Sequence, residues 1–180
     1  PKKGDVPEGE EVYHSKIFYH ALGADPTKDA LVFGEGRAAQ DIPTVFLSED
    51  GRWLLFTVYQ GWSKSEMYLQ DLKSDKPPVE LTAGKQFLYS ADMYKGKLFI
   101  TTNEDAPRYR VFTVDATNPK RDNWKEIIPQ SDAVLQFAAV FGGKLYTQYE
   151  HNASSELKLL DLDGKKLDDI ALPTIGTIFA

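Results

Sequence analysis

A hydrolase nucleophile elbow, which holds a serine on a sharp turn for acyl transfer, reads G-x-S-x-G, and the 180 residues contain no such pentapeptide. The nearest stretch, "GWSKS" from Gly61 to Ser65, lacks the second glycine and reads as a hairpin loop. The three histidines, His14, His20 and His151, show no H-x-x-x-H spacing, and His20 alternates with apolar neighbours as in a strand. Glu49-Asp50 and Asp168-Asp169 are adjacent pairs whose side chains diverge, which suits solvated turns better than acid and base work. Asp71, Asp115 and Asp161 recur at the ends of similar segments, where an aspartate caps a turn through its own backbone; a calcium ladder is the competing reading. Arg108 and Arg110 in "APRYR" could grip a carboxylate with two hydrogen bonds each, although a structural ion pair suits them better. Nothing here calls for a metal or a cofactor. What remains is "YQGWSKSE", where Trp62 follows a glycine at a hairpin tip and could contact a ligand or an adjoining domain, or fold back over its own strands.

Composition narrows the partners. The chain is 42% apolar and 27% charged, as in an ordinary globular domain. Its 21 Lys and Arg residues are scattered among 27 acids for a net charge of -6, which excludes neither fold nor enzyme but argues against nucleic acid or an anionic membrane surface as partner. There is no cysteine, so disulfides and thiol catalysis are excluded, and no apolar run reaches the roughly 18 residues that a membrane-spanning helix requires. A cytoplasmic and a periplasmic setting fit equally well. Both ends, "PKKGDVPEGEE" and "TIGTIFA", read as cut, the second where a strand is beginning.

The elements that must position these residues repeat. Asp50-Gly51 is a hairpin-turn signal followed by "RWLLFTVY", apolar on both faces; Lys95-Gly96 leads into "KLFITT" and Gly142-Gly143 into "KLYTQY". The glycines lie 45 and 47 residues apart. A second strand follows each time, "EMYLQDL", "RVFTVDA" and "ELKLLDL", and then a shorter outer one, "VELT", "WKEIIP" and "LDDIALP". An earlier unit supplies only "KIFYHAL" and "DALVF". Four antiparallel strands at a period of about 40 to 50 residues, with no helical periodicity, are the signature of β-propeller blades. The fold class is therefore all-β, a partial propeller of about three and a half four-stranded blades, at 13–34, 42–83, 86–129 and 133–173, with the next blade starting over 174–180. Open blade edges make self-association a reasonable expectation.

The stretches "YHALGADPTKDALVF" (Tyr19 to Phe33), "LSEDGRWLLFTVYQGW" (Leu47 to Trp62) and "APRYRVFTVDATNPKRDNWKEIIPQSD" (Ala106 to Asp132) give the chain a more specific likeness. It resembles the prolyl oligopeptidases, serine peptidases in which a seven-bladed propeller caps an α/β-hydrolase domain. The third stretch is the most specific, through Arg110, Asp115, Pro119, Trp124, Lys125 and Pro129. The length and loops resemble those of bacterial members. The resemblance implies cleavage of short peptides after proline, by a Ser, His and Asp that belong to a hydrolase domain not represented in these residues. It also implies that the propeller covers the active site, and that its partners are the oligopeptide substrate and that hydrolase domain. Matched motif to motif, Trp62 falls where animal members have a cysteine near the bound peptide, Tyr59 where they have an arginine, and Ile42 at an apolar position of the same patch. These three are the expected substrate-side residues, and no catalytic residue is assigned.

Two other readings stay open at this level. The blade pattern alone also fits a non-enzymatic propeller that scaffolds other proteins. A related peptidase, such as oligopeptidase B or an acylaminoacyl peptidase, would share the same propeller.

Overall fold

The computed structural model describes residues 4–178. Fourteen strands follow one another in this order: β1 Ile17–Tyr19, β2 Ala30–Phe33, β3 Ile42–Leu47, β4 Trp53–Gln60, β5 Lys64–Asp71, β6 Val79–Glu80, β7 Tyr89–Tyr94, β8 Lys97–Thr102, β9 Arg110–Asp115, β10 Lys125–Ile128, β11 Val134–Phe141, β12 Lys144–His151, β13 Ser154–Leu160 and β14 Lys166–Ile170. They form three four-stranded antiparallel meanders, β3 to β6, β7 to β10 and β11 to β14, and a two-stranded β1–β2 sheet. These are blades of a partial β-propeller, the fold class read from the repeat. Among the described residues the helical content is two short 3-10 turns, Pro26–Lys28 and Arg121–Asn123. The sequence reading had no helix; each of these turns is too short to carry a helical period.

The repeat has a local physical cause. At Lys95-Gly96 both residues take positive φ, 47° and 74°, as the tight turn between β7 and β8 demands. Nineteen residues beyond Gly96, Asp115 Oδ1 accepts from the Thr117 amide at 2.8 Å; Asp71 does the same for Lys73 (3.0 Å) and Asp161 for Asp163 (3.0 Å). The recurrent aspartates thus cap their own turns. Asp71 also takes two hydrogen bonds from Arg52, at 3.0 and 2.7 Å, and these bonds hold its carboxyl down at about 2.

The chain divides near Gln86 into two compact units, the short Ser48–Gly51 turn grouping with the second. In the first, β4 carries buried residues on both faces. Its Leu54, Phe56 and Val58 face, with Tyr68 of β5, packs on Ile17, Val32 and Phe33 of the β1–β2 sheet. Phe33 stacks on Phe56 at 4.4 Å between ring centroids. Strand β1 stops at Tyr19, one residue short of His20, whose Nδ1 instead meets Asp29 Oδ1 at 2.7 Å.

In the second unit, the two meanders share a core of Phe99, Val111, Ile127 and Ile128 with Leu135, Leu145, Tyr149 and Leu160. The Val140 amide donates to Asp92 Oδ2 at 2.7 Å, joining β11 to β7. The Ala106–Asp132 stretch is a packing module: Trp124 donates to the Pro119 carbonyl (3.0 Å) and meets Phe112 and Tyr89, while Arg121 lies over both Phe112 and Trp124 and reaches Glu104 at 2.9 Å. Burial, and then the Glu104 charge, push the Tyr89 hydroxyl up to about 12. Residues 174–178 form no strand; Ser155 N donates to the Gly176 carbonyl at 2.8 Å, and Gln148 Nε2 to that of Ile178 at 2.7 Å. Residues 179–180 of the expected next blade lie outside the described residues.

Candidate functional site

Ile42 opens β3, and its cross-strand partner in β4 is Tyr59. Residues directly opposite in an antiparallel pair share a face, so the two form one apolar surface, 56% and 38% exposed. Three residues beyond Tyr59, at the hairpin between β4 and β5, Trp62 is 99% exposed. It therefore does not fold back over its own sheet. All three expected substrate-side residues lie at the same end of the β3–β4–β5 sheet. A depression of about 510 Å³ lined by Leu31, Phe33, Arg37, Tyr68 and Glu80 includes none of them.

A charged network missed by the sequence reading lies on the opposite face. Asp41 and Gln60 stand one step beyond Ile42 and Tyr59, and the pleat turns their side chains to the other side. Gln60 Nε2 donates to both Asp41 oxygens, at 3.2 and 3.3 Å. Arg37 donates through Nε to Asp41 Oδ2 (2.9 Å), through Nη1 to the Tyr68 hydroxyl (3.1 Å) and through Nη2 to Glu66 Oε2 (2.7 Å). The Tyr68 hydroxyl donates to Glu66 Oε2 at 2.7 Å, and the Gly84 amide to Glu66 Oε1 at 3.2 Å. The guanidinium also lies near the Phe33 and Tyr68 rings. Burial opposes charge on Glu66, but the Tyr68 hydroxyl and Arg37 outweigh it and hold its carboxyl below the usual range. Burial raises the Tyr68 pKa, and the Glu66 carboxylate reinforces the rise. At Arg37 burial works against the charge, yet hydrogen bonds with Glu66 and Tyr68 bring the pKa above its ordinary value.

The remaining candidates separate into individual ion pairs. Arg108 meets Asp132 and Arg110 meets Glu126, at 3.5 and 3.4 Å. His14 pairs with Glu10 and His151 with Glu156. Among the described residues no group of three His, Cys, Asp or Glu side chains converges as a metal would need.

The family model described as the N-terminal β-propeller domain of prolyl oligopeptidase matches residues 1–180. The chain belongs to the prolyl oligopeptidase family. Within that family it is 28% identical over 178 residues to a prolyl endopeptidase of Elizabethkingia miricola, covering 98% of this chain and 25% of that protein. It is also 28% identical over 171 residues to prolyl oligopeptidase A of Galerina marginata, covering 89% of this chain and 22% of that one. A solved prolyl endopeptidase structure superposes with a TM-score of 0.90 at 32% identity, covering 98% of this chain and 26% of the other. Prolyl oligopeptidase B of Galerina marginata, at 22% identity and a TM-score of 0.78, shares the fold. The chain spans about a quarter of the length of the relatives it matches. In this prolyl oligopeptidase propeller the exposed Ile42 and Tyr59 lie at strand ends and Trp62 at a hairpin tip, alongside other exposed apolar side chains of the first unit such as Val45 and Phe46 within β3.

Proposed function

We propose that this propeller caps the catalytic domain of a serine peptidase that cleaves short peptides after proline, and that Ile42, Tyr59 and Trp62 contact the peptide on the N-terminal side of that proline. The observation that carries the reading is Trp62, 99% exposed at a hairpin tip beside the in-register Ile42 and Tyr59 pair, in a chain matched by the family model throughout. A large rigid indole held off its own sheet loses little conformational freedom on binding and offers an apolar face to a substrate side chain. The attacking Ser, its His and its Asp would come from the hydrolase domain, so this chain's part is binding and exclusion. A cap over the site would admit an extended peptide and refuse a folded protein. It would also displace water, which strengthens the hydrogen bonds that stabilise the oxyanion. Remaining blades would cover the strand faces that could otherwise drive self-association.

The patch is tested in the full-length protein by Trp62→Ala. The KM for a reporter carrying further residues on the N-terminal side of Gly-Pro is expected to rise roughly tenfold, as for a truncated aromatic contact worth about 1.4 kcal/mol. An unchanged KM for that reporter would contradict contact with the peptide.

A further inference from the structure

We propose that Arg37 is a positioning residue, whose network with Asp41, Gln60, Glu66 and Tyr68 fixes the sheet end that presents Ile42, Tyr59 and Trp62; this rests on the peptide-facing reading above. Strand β3 is the edge of its sheet, so the start of β3 is held by the β4 ladder on one side alone. The next pair beyond Ile42 and Tyr59 is not a ladder pair but the Asp41–Gln60 side-chain clamp. Arg37 locks that clamp to β5, because one planar guanidinium bonds to Asp41, Tyr68 and Glu66 at once. The hairpin bearing Trp62 is thus tethered on both arms: Gln60 through Asp41, and Glu66 directly.

The network is also built to be rigid. The side chains of Arg37, Asp41 and Glu66 are 18%, 8% and 11% exposed. At this degree of burial water replaces a lost partner only in part, so a lost bond loosens the strand end. Since these side chains point away from the Ile42–Tyr59 face, they act on a peptide only through the backbone that carries the patch.

The test compares full-length wild type, Trp62→Ala, Arg37→Met and Arg37→Lys on two reporters, Gly-Pro alone and Gly-Pro preceded by further residues. The reading is the ratio of kcat/KM for the extended over the short reporter. Arg37→Met is expected to lower that ratio roughly tenfold, as for misplacement of a substrate-contacting group. Arg37→Lys, which keeps the charge but not the fork, is expected to recover only part of it. Hydrogen exchange over 41–47 and 57–66 should accelerate in both Arg37 variants. Gln60→Leu severs the Asp41 tie while leaving Arg37 with both carboxylates, and it should lower the ratio in the same direction. A ratio reduced by Trp62→Ala but untouched by Arg37→Met and Gln60→Leu overturns the positioning role alone. If Trp62→Ala itself leaves the ratio unchanged, the peptide-facing reading fails, and this proposal with it.

Discussion

Gly164→Val destabilises the second unit by about 3 kcal/mol, near the upper end for overpacking against a fixed neighbour. Gly164 sits in the turn between β13 and β14 at φ +85°, and a Cβ built there would overlap the carbonyl oxygen of Ile127. That carbonyl is backbone, at the irregularity where the β10–β9 register shifts between Glu126 and Ile128, so it cannot swing aside as a side chain would. The turn is pinned from its other side by Asp161, which accepts from the amides of Asp163 and Lys165. Valine thus meets two separate obstacles, a left-handed backbone and occupied space. Gly61 is the control, since it has a similar φ of +71° but no heavy atom within 4 Å of its would-be Cβ. Gly61→Ala should cost only about 1 kcal/mol, the conformational term alone. Hydrogen exchange of the full-length protein, over 125–128 and 161–170 for Gly164→Val and over 53–71 for Gly61→Ala, reads the difference. Equal effects of the two substitutions would show that the close approach to Ile127 carries no weight.

Phe56→Ala costs about 3 to 5 kcal/mol in the first unit, the range for deleting a large buried aromatic. Phe56 is fully buried and stacks on Phe33 with ring planes 10° apart, so the alanine leaves a cavity lined by two sheets. The β1–β2 sheet has only two strands and cannot stand alone in water, so the packing centred on this stack helps to keep it in place. Phe33 also lies 5.9 Å from the Arg37 guanidinium, so the patch should loosen with the core. A fall in the urea midpoint of the first unit, followed by exchange over 30–33 and 53–60, is the expected outcome. A loss below about 1 kcal/mol would mean that the two sheets are held together by something other than this contact.

The blade repeat was legible because its signals are local. A tight hairpin needs positive φ, which Gly96 and Gly143 mark, and Asp71, Asp115 and Asp161 cap turns through amides two residues away. What was not legible depends on register between distant segments. Arg37 meets Glu66 and Tyr68 across separations of 29 and 31 residues, and nothing in "GEGRAAQD", which holds only its local partner Asp41, points to them. The bulge in β10 is equally silent, since it exists only relative to β9. Strand β6 shrinks to Val79–Glu80 after Pro77-Pro78, which lack the amides a longer ladder would use. At the candidate site, a glycine before Trp62 hinted at an exposed tip. The pairing of Ile42 with Tyr59 became visible only once the strands were in register.

The most direct measurement is chromophore release by the full-length protein from a Gly-Pro reporter and an Arg reporter, each alone and in competition with an unlabelled proline-containing peptide or a folded protein. A propeller capping a post-proline peptidase predicts release from Gly-Pro only, inhibited by the peptide and not by the folded protein. Release after Arg, or no release from either reporter, would contradict it.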